Sequence, residues 1–102
     1  MDLKSGTRWA SQVCDTEVIV VRGTTTDVSL ECGGHPMVPV GADRSPDLAL
    51  DSAFAQGSLI GKRFADLESG LELLVTKAGE GSLAVDGISI PSKEAKPLPS
   101  SD

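Results

Sequence analysis

The chain carries two cysteines and one histidine, the side chains best suited here to soft-metal or thiol chemistry. Cys32-Gly33-Gly34-His35 sets a thiol and an imidazole three positions apart on a glycine-rich loop. A tetrahedral ion can use that spacing, because thiolate sulfur and imidazole nitrogen are donors that zinc and iron accept readily. The glycines would let backbone come close and would free N–H groups to point at a thiolate, stabilising its charge. Cys14 is distant in sequence, yet a hairpin spanning the intervening residues would bring both thiols to its base. The expected metal site is therefore Cys14, Cys32 and His35, holding zinc or iron.

Other fates for the same residues stay open. Free cysteine is among the most buried residue types and often packs as a small hydrophobe. The two thiols could also close a disulfide, although two cysteines in a reducing compartment are more often free or metal-bound. A lone loop histidine is more often solvated than ligating. Asp15 and Glu31 flank the cysteines and, on alternating strands, are expected to face water. A Cys–His pair also suits a nucleophile with its base. No third orienting residue, oxyanion-binding helix or sizeable cavity is suggested in so short a chain, so an enzyme is not expected. Asp66 and Glu68 fall in a turn-like segment and need no function. Gly79-Glu80-Gly81 lacks the following helix and Gly-Lys-Ser of a phosphate loop and reads as a hairpin turn.

The elements that must position these residues follow from composition and pattern. A chain of 102 residues has room for one domain and one modest core. Hydrophobic residues make up 39% but aromatics only 3%, so Val, Leu and Ile must fill that core, which favours strands. The formal net charge of -6 argues against nucleic acid and against an anionic membrane surface as partners. The first residues lack the apolar stretch of a signal peptide, and Val18-Ile19-Val20-Val21 is too short to span a bilayer. A cytoplasmic location is the expectation.

The pattern predicts a mostly β, small single domain over 1–91, made of short antiparallel hairpins. Within it, 1–40 holds a hairpin and the Cys/His loop, 41–57 is a connector, and 58–91 is a β-meander. Stretches 16–22 and 27–31 alternate apolar and polar residues, with Val18, Val20, Val28 and Leu30 on one face. Gly23-Thr24-Thr25-Thr26 separates them as a turn, and Met37 to Val40 reads as a short strand. Ser45-Pro46-Asp47 would cap a short helix running to Ala55. Residues 70–90 read as three strands turning at Ala78-Gly79-Glu80-Gly81 and at Asp86-Gly87, a dipeptide suited to two-residue hairpins. The tail 92–102, rich in proline, serine and charge, is expected to be disordered.

Gln12-Val13-Cys14, then Glu17-Val18-Ile19-Val20-Val21, then Cys32-Gly33-Gly34-His35-Pro36-Met37 resembles desulforedoxin and the N-terminal domain of desulfoferrodoxin. The resemblance covers residues 9–38. It implies a rubredoxin/desulforedoxin-like N-terminal part and places Cys14 and Cys32 at ligand positions. Those families hold one iron with four cysteines, whereas Ser11 and Gly33 stand here at the other two positions. A four-thiolate iron from one chain is thereby excluded. The functional expectation is a small metal-binding accessory protein with a structural or redox role, as a homodimer or bound to a larger partner. The alternative is a metal-free interaction module or small subunit of a larger complex, docking by strand addition.

Overall fold

The computed structural model describes residues 1–24 and 26–92. Among the described residues, nine strands form two antiparallel sheets: β1 (Arg8–Ala10), β2 (Glu17–Arg22), β3 (Leu30–Cys32), β4 (His35–Pro36), β5 (Val38–Pro39), β6 (Arg63–Ala65), β7 (Glu72–Lys77), β8 (Leu83–Val85) and β9 (Ile88–Ser89). One sheet runs β5-β1-β2-β7-β6 and the other β4-β3-β8-β9. The protein is mostly β, as the composition demands.

Alternation decides which residues of each strand go inside. Strands β2 and β7 share one burial pattern, with Val18 and Val20 inward on the first and Leu73 and Val75 inward on the second. Val18 stands opposite Val75 and Val20 opposite Leu73, so the centre of the larger sheet is a block of paired aliphatic side chains. Leu30, Cys32, Leu83 and Val85 come from the smaller sheet, and all eight join one buried cluster with Trp9, Met37 and Leu71. Burial of such side chains contributes roughly 1.5–3 kcal/mol each.

The pairing of the strands differs from the sequence expectation in two places. Residues 16–22 and 27–31 do not form a hairpin with each other, because β2 and β3 lie in different sheets. A strand has two edges, and those of β2 are taken by β1 and β7. The segment after Gly23 therefore crosses to the second layer; Thr25 of the expected turn lies outside the described residues. In the same way β7 does not turn back into β8, and residues 78–82 carry the chain from one sheet to the other. The last turn is as expected. Asp86 and Gly87 take positive φ angles of 50° and 82° and join β8 to β9 in a two-residue hairpin.

The expected helix up to Ala55 is replaced by one 3₁₀ turn, Ser52–Phe54, capped by the Asp51 carboxylate on Ala53 N. Connector hydrogen bonds go instead to neighbouring strands and turns. Asp51 N donates to Gly33 O at 2.9 Å and Ser82 N to Phe54 O at 2.7 Å. Ser92 bridges to Phe64, and the rest of the tail, 93–102, lies outside the described residues. No helix among the described residues is long and apolar enough to cross a membrane.

Candidate functional site: a thiol pair between two sheets

Cys14 sits in the turn between β1 and β2. That turn is organised by Ser11, whose backbone N–H donates to Thr16 O at 2.9 Å. The Ser11 hydroxyl oxygen accepts from the N–H groups of Val13 and Cys14, at 3.1 and 3.2 Å. These bonds curl the backbone so that the Cys14 side chain turns inward. Cys32 ends β3, in the opposite sheet, and is completely buried.

The two sulfur atoms stand 3.9 Å apart. Their approach, expected from a shared hairpin, is produced instead by the stacking of the two sheets. Both sulfurs face the inter-sheet space, and neither is bonded to the other.

Three further groups complete the surroundings. Cys14 Sγ lies 3.2 Å from Thr16 Oγ1, to which it donates as a thiol and from which it accepts as a thiolate. The Gly81 N–H points at Cys14 Sγ from 3.3 Å. Gly81 is itself held by the buried Ser58 hydroxyl, which donates to its carbonyl oxygen at 2.7 Å. Glycine is required at position 81 by space. A Cβ there would fall 2.8 Å from Cys32 Sγ and 2.9 Å from Gly33 N.

The surroundings make the two thiols unlike. Burial pushes the Cys14 thiol up, but hydrogen bonds involving Ser11, Thr16 and Gly81 outweigh it and hold the group below its ordinary value. Cys32 is pushed up to about 12, first by burial and then by the negative charge of neighbouring Cys14. Cys14 is thus the partly exposed sulfur that ionises the more readily, and Cys32 the buried sulfur whose neutral thiol is favoured.

His35 is placed elsewhere. It pairs with Cys32 across the β3–β4 ladder, but its Nε2 lies 2.8 Å from the carbonyl oxygen of Ala49. Among the described residues, no three of His, Cys, Asp or Glu are grouped to hold a metal ion. Gly33 and Gly34, with φ of 67° and 88°, form a two-residue turn from β3 into β4. The glycine-rich ligand loop expected there is therefore a tight hairpin turn, and Gly33 N donates to Ser82 O at 3.0 Å. The amide on sulfur comes from Gly81, a residue read from sequence as part of an ordinary turn.

No family model matches the chain, and no curated protein or solved structure matches it significantly.

Asp15 is exposed, and the Glu31 carboxylate accepts from Gly87 N at 2.9 Å, so neither reaches the thiols. Sequence reasoning missed Thr16, Ser58 and Gly81 as parts of the site. Serine and threonine are mostly surface residues, and nothing in their spacing marks Ser11, Thr16 and Ser58 as buried. The one available signal was Ser11, three residues before Cys14 at the position where the desulforedoxin pattern has a cysteine.

Proposed function

We propose that the chain is a small metal-binding accessory protein in which Cys14 and Cys32 supply two thiolates to one zinc or iron ion. The observation that carries this reading is the sulfur–sulfur separation of 3.9 Å. Two thiolates held about 2.3 Å from one tetrahedral ion stand about 3.8 Å apart, by the tetrahedral angle. The resemblance to desulforedoxin supports the same pair. A four-thiolate centre does not fit, because Ser11 and Gly33 carry no sulfur, and a side chain at position 33 would be strained by its φ of 67° and would need Val13 and Leu50 to give way. A Cβ at Gly33 would fall 2.6 Å from Val13 Cγ2 and 2.7 Å from Leu50 Cδ1.

The remaining ligands then come from outside the chain, and a second copy or a larger protein partner is the natural source. His35 is left out of the set while its ring is held at Ala49. The chemistry an ion would supply is a cross-link between the sheets, tying the β1–β2 turn to the end of β3. A reducing, cytoplasmic setting would keep both thiols available for it.

The test is elemental analysis and native mass spectrometry of untagged chain purified without oxygen. Zinc or iron is expected at up to one ion per chain, and Cys32→Ala is expected to remove it. A cobalt(II) titration should add a near-ultraviolet thiolate-to-metal band in the wild type and not in the variant. Metal-free chain with no cobalt band and unchanged melting temperature would overturn the reading and favour the metal-free interaction module.

A further inference from the structure

We propose that Cys14 and Cys32 also form a reversible dithiol–disulfide couple that exchanges with low-molecular-weight disulfides, Cys14 being the attacking sulfur. This goes beyond the metal reading and does not require an ion.

The geometry supplies each part. The chain has two cysteines, so no competing intramolecular pairing exists. Their sulfurs are already in contact at 3.9 Å, against about 2.05 Å in a disulfide, a gap that side-chain rotation and a modest shift of one turn can close. Cys14 is on the element able to shift, because residues 12–15 belong to no strand. Cys32 is fixed at the end of β3 between β4 and β8.

Access is equally one-sided. Cys14 is partly exposed, whereas Cys32 is completely buried. The Gly81 N–H points at Cys14 Sγ from 3.3 Å. A small disulfide therefore meets Cys14 first.

The exchange balances in two steps. The Cys14 thiolate attacks one sulfur of R–S–S–R, forming Cys14–S–S–R as the old S–S bond breaks and RS⁻ departs. Cys32 then gives up its proton and attacks Cys14 Sγ as the thiolate, forming the Cys14–Cys32 bond as the Cys14–SR bond breaks, and the departing RS⁻ takes up that proton as RSH. The first RS⁻ takes up the proton that Cys14 gave to water. Two protein thiols are oxidised and one small disulfide is reduced to two thiols.

Full-length protein is equilibrated with mixtures of reduced and oxidised glutathione, with a chelator present throughout. It is then acid-trapped, alkylated and analysed by intact mass and peptide mapping. At the oxidised end the wild type should lose both alkylatable thiols and two hydrogens of mass while remaining monomeric in covalent terms. Dithiothreitol should restore both thiols. Cys32→Ala should retain one glutathione, on Cys14. If that variant fails to fold, the short-lived glutathione adduct of the wild type carries the test, and it should map to Cys14. Folded wild type that keeps two free thiols in excess oxidised glutathione, disulfides only between chains, or a first adduct on Cys32 would each overturn the proposal. The chelator separates the two readings. Protein that binds cobalt yet never closes the disulfide would refute this proposal alone, and disulfide closure without metal affinity would refute the metal reading alone.

Discussion

Val20→Asp is expected to abolish the folded state, while Val21→Asp leaves it intact. Val20 is 1% exposed at the centre of β2, facing Leu73 on the neighbouring strand. Its inward face meets the aliphatic cluster between the sheets. A carboxylate placed there would be buried among aliphatic side chains, which costs several kcal/mol even if it takes up a proton. Small domains are stable by only about 5–15 kcal/mol, so most of that margin would go. Val21 is the next residue, yet it is 41% exposed beside an irregularity in the β2–β7 register. Its replacement should change stability by less than about 0.5 kcal/mol, as at exposed sites generally. Circular dichroism melts of both variants test this, and native mass adds a second result. If a second copy covers the outer face of β2, Val21→Asp will fold but dissociate. A Val20→Asp protein that melts like the wild type would refute the inward assignment of β2.

Gly81→Ala should destabilise the chain by about 1–3 kcal/mol, the usual cost of forcing a methyl into a filled site. Two of the three nearest atoms to the added Cβ, Gly33 N at 2.9 Å and Gly33 Cα at 3.1 Å, are backbone and cannot swing aside. The third is Cys32 Sγ, so the strain reaches the thiol pair directly. The Gly81 N–H would also be drawn away from Cys14 Sγ. Gly61 provides the comparison, with φ of 81° but open space around its Cβ position, so Gly61→Ala carries only a backbone penalty. Urea titrations should show the greater loss at position 81, with altered thiol chemistry at that position alone. Equal losses, with the thiols unchanged, would count against the packing account.

Local pattern made the strands legible and left their partners hidden. Glu17–Arg22 and Leu83–Val85 stand where alternation placed them, and Asp86-Gly87 turns as that dipeptide should. Alternation, however, reports which face of a strand is buried and says nothing about which strand lies beside it. For that reason β2 and β3 read as one hairpin although they belong to opposite sheets. The proximity of Cys14 and Cys32 was inferred through that hairpin and arises through sheet stacking. Position 35 shows the converse. Cys-Gly-Gly-His has the spacing of a ligand loop, but paired positive φ angles make it a tight turn, and the ring lies at the Ala49 carbonyl. The buried hydroxyls of Thr16 and Ser58 had no signature at all, because burial of so small a polar group depends on remote residues.

The crossing of the chain between sheets also dictates an order of assembly. Arg22 lies opposite Glu72, and Leu30 opposite Val85, so each sheet joins an early strand to a late one. A chain leaving the ribosome can form the short β1–β2 and β3–β4 ladders at once. Their inner faces stay wet until β7 and β8 arrive, since contacts distant in sequence require long loops to close first. During that interval β2 and β3 each present an open edge and an uncovered aliphatic face, the two features that invite association between nascent chains. A fragment stopped before Glu72 is accordingly expected to aggregate and to show no cooperative melt. The two cysteines share this delay: both are synthesised early, but they become neighbours only once the final third of the fold has closed over them.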